Sequence, residues 1–419
     1  MALPANDRSI ASFTMLGHGL VHWFEMSVPI FLVVWTDEFP VSIALVGLIV
    51  ALGYAPFGLG ALPGGVLADR FGAKRIILAC YAGMTLSFLV LALAPSIYAV
   101  GGALVLWGIA ASVYHPAGMA LISTGAERQG TVFAYHGIAG NVGITLGPFA
   151  SATGLVFLDW HVVAALLAIP GLLALAYGLR AEFDPTTAVD DENAGAGTEI
   201  SLPTLVSNSK RLFAGGFLLV FVVVMFEGLF YRGVLTFLPD ILHDLPAMAD
   251  VELQAGLEGF EPSDYVFVGL LVVGMAGQYV GGKLTERVSV ERGLVTIFGL
   301  LALLALAFVP ASELGLVALL GLCALLGFFL FAIQPFYQVA VAQYTPADTR
   351  GLSYGFTYLG EFGFGAASIA IGGFVLGEFT LGLFFVVLAL FAIVAGLLSL
   401  ALLVGYERFA FLERYGSEA

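Results

Sequence analysis

The stretch GHGLVHWFEMSVPIF, residues 17–31, places His18, His22 and Glu25 at i, i+4 and i+7. On a helix these three side chains share one face. Imidazoles titrate near neutral pH without help, so two of them beside a carboxylate supply the parts of a proton relay. The same groups also suit a hydrogen-bonded set joining two helices. A metal site is the third reading, since two histidines and an acid offer three ligands. No further motif supports a metal, so none is expected, and the relay is favoured.

Other polar residues interrupt long apolar runs. An ionisable group at the centre of a bilayer costs about 2.5–3.5 kcal/mol on insertion scales and tends to mark a pathway or proton site. Glu227 and Glu361 meet that description and join Glu25, His18 and His22 as the expected relay. Arg232 is the fixed cation within a span. In a dry cavity its guanidinium suits a phosphonate, phosphate or carboxylate. It also reads as a side chain snorkelling to the outer surface, or as a salt bridge to Glu25 or Glu227 made in one conformation only. His115, His136, Asn141, Gln334 and Gln338 are the remaining candidate substrate-binding groups. For His115 a kinked helix with a satisfied imidazole is the first explanation, because Pro116 follows it. Asn141, amid glycines, reads first as a bond to a neighbouring helix.

The elements that must position these groups are membrane spans. Of 419 residues, 60% are hydrophobic and 11% charged, with mean hydropathy +1.00; soluble chains carry about 25% charge. Twelve runs approach or exceed the ~20 residues needed to cross a bilayer. They lie near 10–35, 43–67, 76–94, 97–125, 129–157, 161–180, 211–239, 264–283, 293–310, 314–343, 351–377 and 380–405. The first is too long for a signal peptide and is kept as a helix. With both termini cytoplasmic, fourteen of the fifteen basic residues fall on the inner side, Arg232 being the exception. That positive-inside bias supports the topology and an inner-membrane location. Twelve of the thirty acids lie outside, where no basic residue balances them, and they make up most of the net charge of −15, which argues against nucleic acid or anionic lipid as partner. With three lysines it resembles a halophile composition. Cys80 and Cys323 lie in different spans and suggest no disulfide.

Acidic and small residues from 182 to 208 read as a cytoplasmic linker. It separates an N-terminal six-helix bundle, 1–181, from a C-terminal one, 209–419. The halves echo one another. GGVLADRFGAKR at 64–75 corresponds to GGKLTERVSVER at 281–292, and His115-Pro116 to Gln334-Pro335. Parallel repeats around a midplane site are a transporter architecture.

The pattern GxxxDRxGxxR, present as Gly65, Asp69, Arg70, Gly72 and Arg75, resembles the loop motif of the major facilitator superfamily, with Glu286 and Arg287 in its degenerate copy. The resemblance covers nearly the whole chain. It implies an all-α major facilitator fold of twelve transmembrane helices, and a conformational role for those residues. VYHPAG (113–118), GNVGITLGPFASA (140–152) and TFLPDIL (236–242) further resemble the fosmidomycin-resistance branch, which contains drug exporters. That branch pairs a first-helix histidine with an acid four residues on; here His22 stands in the acid's place and Glu25 follows. It also tends to carry a glutamate and an arginine after the His-Pro, where Ala117 and Ala120 stand. The Gly143–Pro148 portion resembles the fifth-helix motif of exporters.

Together these features point to a multi-pass secondary transporter. The expected activity is proton-coupled export of a small anionic or amphipathic compound by alternating access, by a monomer with no cofactor. A proton- or sodium-coupled importer of an anionic nutrient is the main alternative. A non-transporting sensor or scaffold would leave the intramembrane acids unexplained, and no nucleophile–base spacing suggests an enzyme.

Overall fold

The computed structural model describes residues 3–188, 202–248, 251, 261–345 and 349–415. Helix follows helix along the chain, and no strand is present among the described residues. The first half contributes α1 (Ala5–Glu38), α2 (Ile43–Leu59), α3 (Ala61–Phe71), α4 (Ala73–Leu91), α5 (Ile97–Ser112), α6 (Tyr114–Gly125), α7 (Gln129–Leu155), α8 (Trp160–Leu167) and α9 (Ile169–Arg180). The second half contributes α10 (Leu202–Phe213), α11 (Phe217–His243), α12 (Pro262–Leu284), α13 (Val290–Glu313), α14 (Leu316–Gln343) and α15 (Arg350–Tyr358). A π-helical turn at Leu359–Phe364 leads into α16 (Ala367–Glu378), and α17 (Leu381–Tyr415) closes the chain.

Backbone groups have no water to bond in a bilayer, so helices are the form an apolar chain of this kind takes. A few starts are capped by short polar side chains: Ser42 accepts from the Leu45 N–H at 3.3 Å, and Asp159 from the His161 N–H at 2.9 Å. Gly72, at φ 85°, turns the chain between α3 and α4 in a conformation that an L side chain rarely adopts. This is the structural need for the second glycine of the loop motif.

Among the described residues, ten helical spans are long and apolar enough to cross a membrane, eleven when α2 and the first part of α3, bent by 41°, count as one span. The run expected at 129–157 is α7. Its 27 residues are long enough, but glycines, His136, Asn141 and threonines dilute its apolarity, so it falls outside that set. Its character has a packing cause. A Cβ on Gly143 would strike the Gly19 backbone, and one on Gly147 the Trp23 backbone. Small residues let α7 lie directly on α1.

The segment expected as a linker divides into three parts. Residues 189–201 lie outside the described residues. Before them, residues 184–188 are bonded to the ends of α1 and α6: Asn6 donates to the Asp184 carbonyl at 3.0 Å, and Thr124 to the Pro185 carbonyl at 2.7 Å. The Thr186 N–H and hydroxyl hold the Asp184 carboxyl below its ordinary value. After residues 189–201, Leu202–Phe213 forms α10. Buried Asp7 accepts from the Glu127 and Arg128 backbone N–H groups at 3.1 and 2.9 Å, tying α1 to the start of α7.

Across the two halves, α1 meets α11, α2 meets α16 and the π turn, α7 meets α12, and α3 meets α15. Glu25, Glu227, Arg232 and Glu361 lie on the elements of these seams.

Gly143→Val should press a branched side chain into the α1 backbone, a form of overpacking that costs at least ~1–3 kcal/mol. Gly137, on the same helix, has nothing within 4 Å of an added Cβ. Thermal unfolding in detergent should show a clear drop in Tm for Gly143→Val and almost none for Gly137→Ala.

Candidate functional site

Around the middle of α1, the expected stripe forms a continuous chain of contacts. His18 Nδ1 lies 2.7 Å from the His136 carbonyl oxygen. His18 Nε2 lies 3.2 Å from His22 Nε2, and His22 Nδ1 lies 2.5 Å from Glu25 Oε2. Glu25 Oε1 then accepts from Arg232 Nη2 of α11. A carbonyl and a carboxylate only accept, so both Nδ1 atoms carry a hydrogen. Glu25 and Arg232 are each 2% exposed, which makes this a buried pair between helices of opposite halves.

The rest of the pocket holds Arg232 as an aromatic clamp. Its guanidinium carbon lies 4.9 Å from the Phe362 ring centre, 5.1 Å from Tyr54 and 5.7 Å from Tyr231. Stacking of this kind favours arginine over lysine. The Tyr54 hydroxyl donates to the Glu25 backbone carbonyl. Arg232 Nε has no partner among the described residues. The snorkelling reading of Arg232 is therefore set aside: the side chain turns inward to a carboxylate.

His115 and His136 join the same cluster from α6 and α7. The His136 ring stacks on His18 with centres 4.0 Å apart, and His115 sits edge-on to both His18 and His22. Tyr358 and Phe362, from the second half, cover His115.

Glu227 and Glu361 lie apart from that chain. Both carboxyl oxygens of Glu227 are buried without a hydrogen-bond partner among the described residues. Glu361 and Arg232 are the charges that act on it. Glu361 belongs to the π turn and faces the Tyr337 hydroxyl. A Cβ on Gly228 would strike the Glu361 backbone, so this glycine is what lets the turn approach α11. Such wide turns occur often at functional sites.

Of the remaining candidates, Gln334 accepts from Gln278 at 3.3 Å, Gln338 is exposed and Asn141 is half-buried. None of the three touches the histidine chain in any recorded bond. In the loop motif, Arg70 lies over the Phe71 ring and, with Arg75, is exposed. The Asp69 side chain lies outside the described residues. Glu286 pairs loosely with Lys283 at 3.6 Å on the surface, and Arg287 is exposed. Tyr54, Gln278, Tyr337 and Phe362 were not flagged by the sequence. Tyrosine, glutamine and phenylalanine in apolar runs are too common to single out.

Of the candidates, His22, Glu25, His115, His136, Glu227, Arg232 and Glu361 are buried inside the packed helices. A recess of about 500 Å³ does open between the halves, lined in part by Asp37, Asp240, His243 and Asp244.

Long apolar helices with an ion pair sealed between two halves define a multi-pass membrane transporter rather than an enzyme. The chain belongs to the Major Facilitator Superfamily, whose model matches residues 14–369. It is 28% identical over 157 residues to the uncharacterized MFS-type transporter YqjV of Bacillus subtilis (strain 168), 37% of each chain. It is 36% identical over 115 residues to the uncharacterized MFS-type transporter Rv0849 of Mycobacterium tuberculosis (strain ATCC 25618 / H37Rv), 27% of each. The matches thus span only 37% and 27% of the length of these two relatives. Among solved structures, the nucleoside transporter NupG superposes with TM-score 0.75 at 14% identity, over 94% of this chain and 99% of that one. That likeness concerns the fold.

Removing one member of a buried ion pair costs ~3–5 kcal/mol, because the other charge is left uncompensated. Arg232→Gln should therefore lower Tm markedly, and Glu25→Gln likewise. The double variant Glu25→Gln/Arg232→Gln should recover much of the loss. A double-mutant cycle of thermal unfolding in detergent measures this.

Proposed function

We propose that the chain is a proton-coupled exporter of a small anionic or amphipathic compound. It would sit in the inner membrane with both termini cytoplasmic and work as a monomer of two six-helix bundles, 1–181 and 209–419. The observation that carries this reading is the buried Glu25–Arg232 pair, whose partners come from α1 and α11. An ion pair between halves that must move apart is a lock, and an anionic solute is a natural key. Its phosphonate or carboxylate competes with Glu25 for the guanidinium.

Glu227 gives the lock a proton dependence. It sits five residues before Arg232 on α11, with no partner for its carboxyl group. When Glu227 holds a proton, Arg232 is left to Glu25 or to substrate. When the proton leaves, the new carboxylate draws Arg232 away from Glu25 and weakens the seam. Glu361 is the neighbouring acid through which the proton is passed. This assigns coupling to Glu227 and Glu361 rather than to Glu25, which already has two charged or hydrogen-bonded partners. The loop motif, Gly65 to Arg75 with Glu286 and Arg287, would engage when the inner ends close.

Export is favoured by the exporter-like Gly143–Pro148 packing on α1. The likeness of VYHPAG and TFLPDIL to the fosmidomycin-resistance branch supports the same direction.

The test uses inside-out vesicles with an acidic lumen and a pH-sensitive dye, challenged with a panel of anionic and amphipathic compounds. Wild type should dissipate the gradient with at least one compound, and Glu227→Gln should do so at least about tenfold more slowly. Equal rates would remove Glu227 from coupling. Anion accumulation in right-side-out vesicles alone would reverse the direction to import.

A further inference from the structure

We propose that His18, His22 and His115 form a binding site for a late first-row divalent metal ion such as Zn²⁺ or Co²⁺. The site stands on its own geometry and holds whatever the transported compound is.

The case begins with the two Nε2 atoms, 3.2 Å apart. Because both Nδ1 atoms donate elsewhere, to the His136 carbonyl and to Glu25, neither Nε2 of a neutral pair has a hydrogen to offer. Two lone pairs facing each other at that distance repel unless a positive charge sits between them. The spacing suits a metal. Ligands at ~2.0–2.1 Å in a tetrahedron lie about 3.3 Å from one another. His115 turns a third nitrogen to the same point, and the ligand atoms of all three histidines lie within 4.8 Å of one another. Closing the third side therefore takes a shift of at most ~1.5 Å.

The outer contacts are those that metal-bound histidines need. A ligating imidazole usually donates its other N–H to a carboxylate or carbonyl, which fixes the tautomer and raises the basicity of the ligating nitrogen. His22 does this to Glu25 and His18 to the His136 carbonyl. The His136 ring, stacked on His18, holds that imidazole in plane. Phe57, Tyr358 and Phe362 pack around His115 and exclude water. Three nitrogens with one open position favour Zn²⁺, Co²⁺, Ni²⁺ or Cu²⁺ over Mg²⁺ or Ca²⁺, which prefer oxygen. The Glu25 carboxylate, beside His22, supplies part of the balancing charge.

The test titrates Co²⁺ into the full-length, tag-free protein in detergent and follows the strong visible absorption of four-coordinate cobalt, with Zn²⁺ competing it away. One ion per chain is expected. His22→Gln and His115→Gln should each weaken binding by at least about tenfold. The two remaining histidines, His161 and His243, are the controls, and their glutamine variants should bind as wild type does. If His22→Gln does not give a monodisperse protein, His18→Gln carries the same expectation. Absorption that stays that of the aqueous ion would mean that the histidine pair shares only a proton, and would overturn the proposal. So would loss of binding in the His161 or His243 variants alone.

Discussion

A permanent positive charge in a low-dielectric seam has to be answered by a negative one, and Arg232 imposes that demand on the whole molecule. Its guanidinium is 2% exposed, so solvent offers it little. Glu25 satisfies it from the opposite half, and Glu25 is itself steadied by His22 and by Tyr54 beneath the backbone. The chain of dependence runs on through His18 to the His136 carbonyl on α7. Five polar groups from three helices thus lie along one path of contacts.

Close helix approach makes this path possible. Glycine at Gly143 and Gly147 brings α7 onto α1, which is what puts His136 within reach of His18. Gly228 does the same for the π turn against α11, placing Glu361 beside Glu227. On the other side of the seam, Gly58 meets the Gly363 backbone. The small residues of the seams are therefore part of the electrostatics, since they set the distances at which charges meet.

Much of this was legible in the residues alone. Hydropathy located the spans because an apolar run of that length has few other fates, and helical period put His18, His22 and Glu25 on one face. Arg232 stood out by chemistry, although two acids competed to be its partner and only tertiary packing chose Glu25. His115 and His136 were visible as candidates, but their convergence with α1 depends on how α6 and α7 cross it. The π turn at 359–364 has no sequence signal of its own, and neither Tyr54 nor Tyr337 differs from the many tyrosines that merely pack. Reading 182–208 as a linker did not register the helix Leu202–Phe213, an amphipathic run with Lys210 and Arg211 near its end. The alternation of apolar and polar residues there is short enough to pass for loop.

The central claim is that the Glu25–Arg232 pair holds the two halves together. The most direct measurement is the distance distribution between spin labels at Leu93 and Leu314, exposed loop positions 80% and 81% accessible in the first and second halves, by double electron–electron resonance in nanodiscs. Wild type should give one narrow population. Glu25→Gln should add a second population at a different distance, as the unlocked halves separate or rock. An unchanged distribution in Glu25→Gln and in Arg232→Gln would mean that the pair is only a satisfied contact, and the lock would have to be sought elsewhere in the seam.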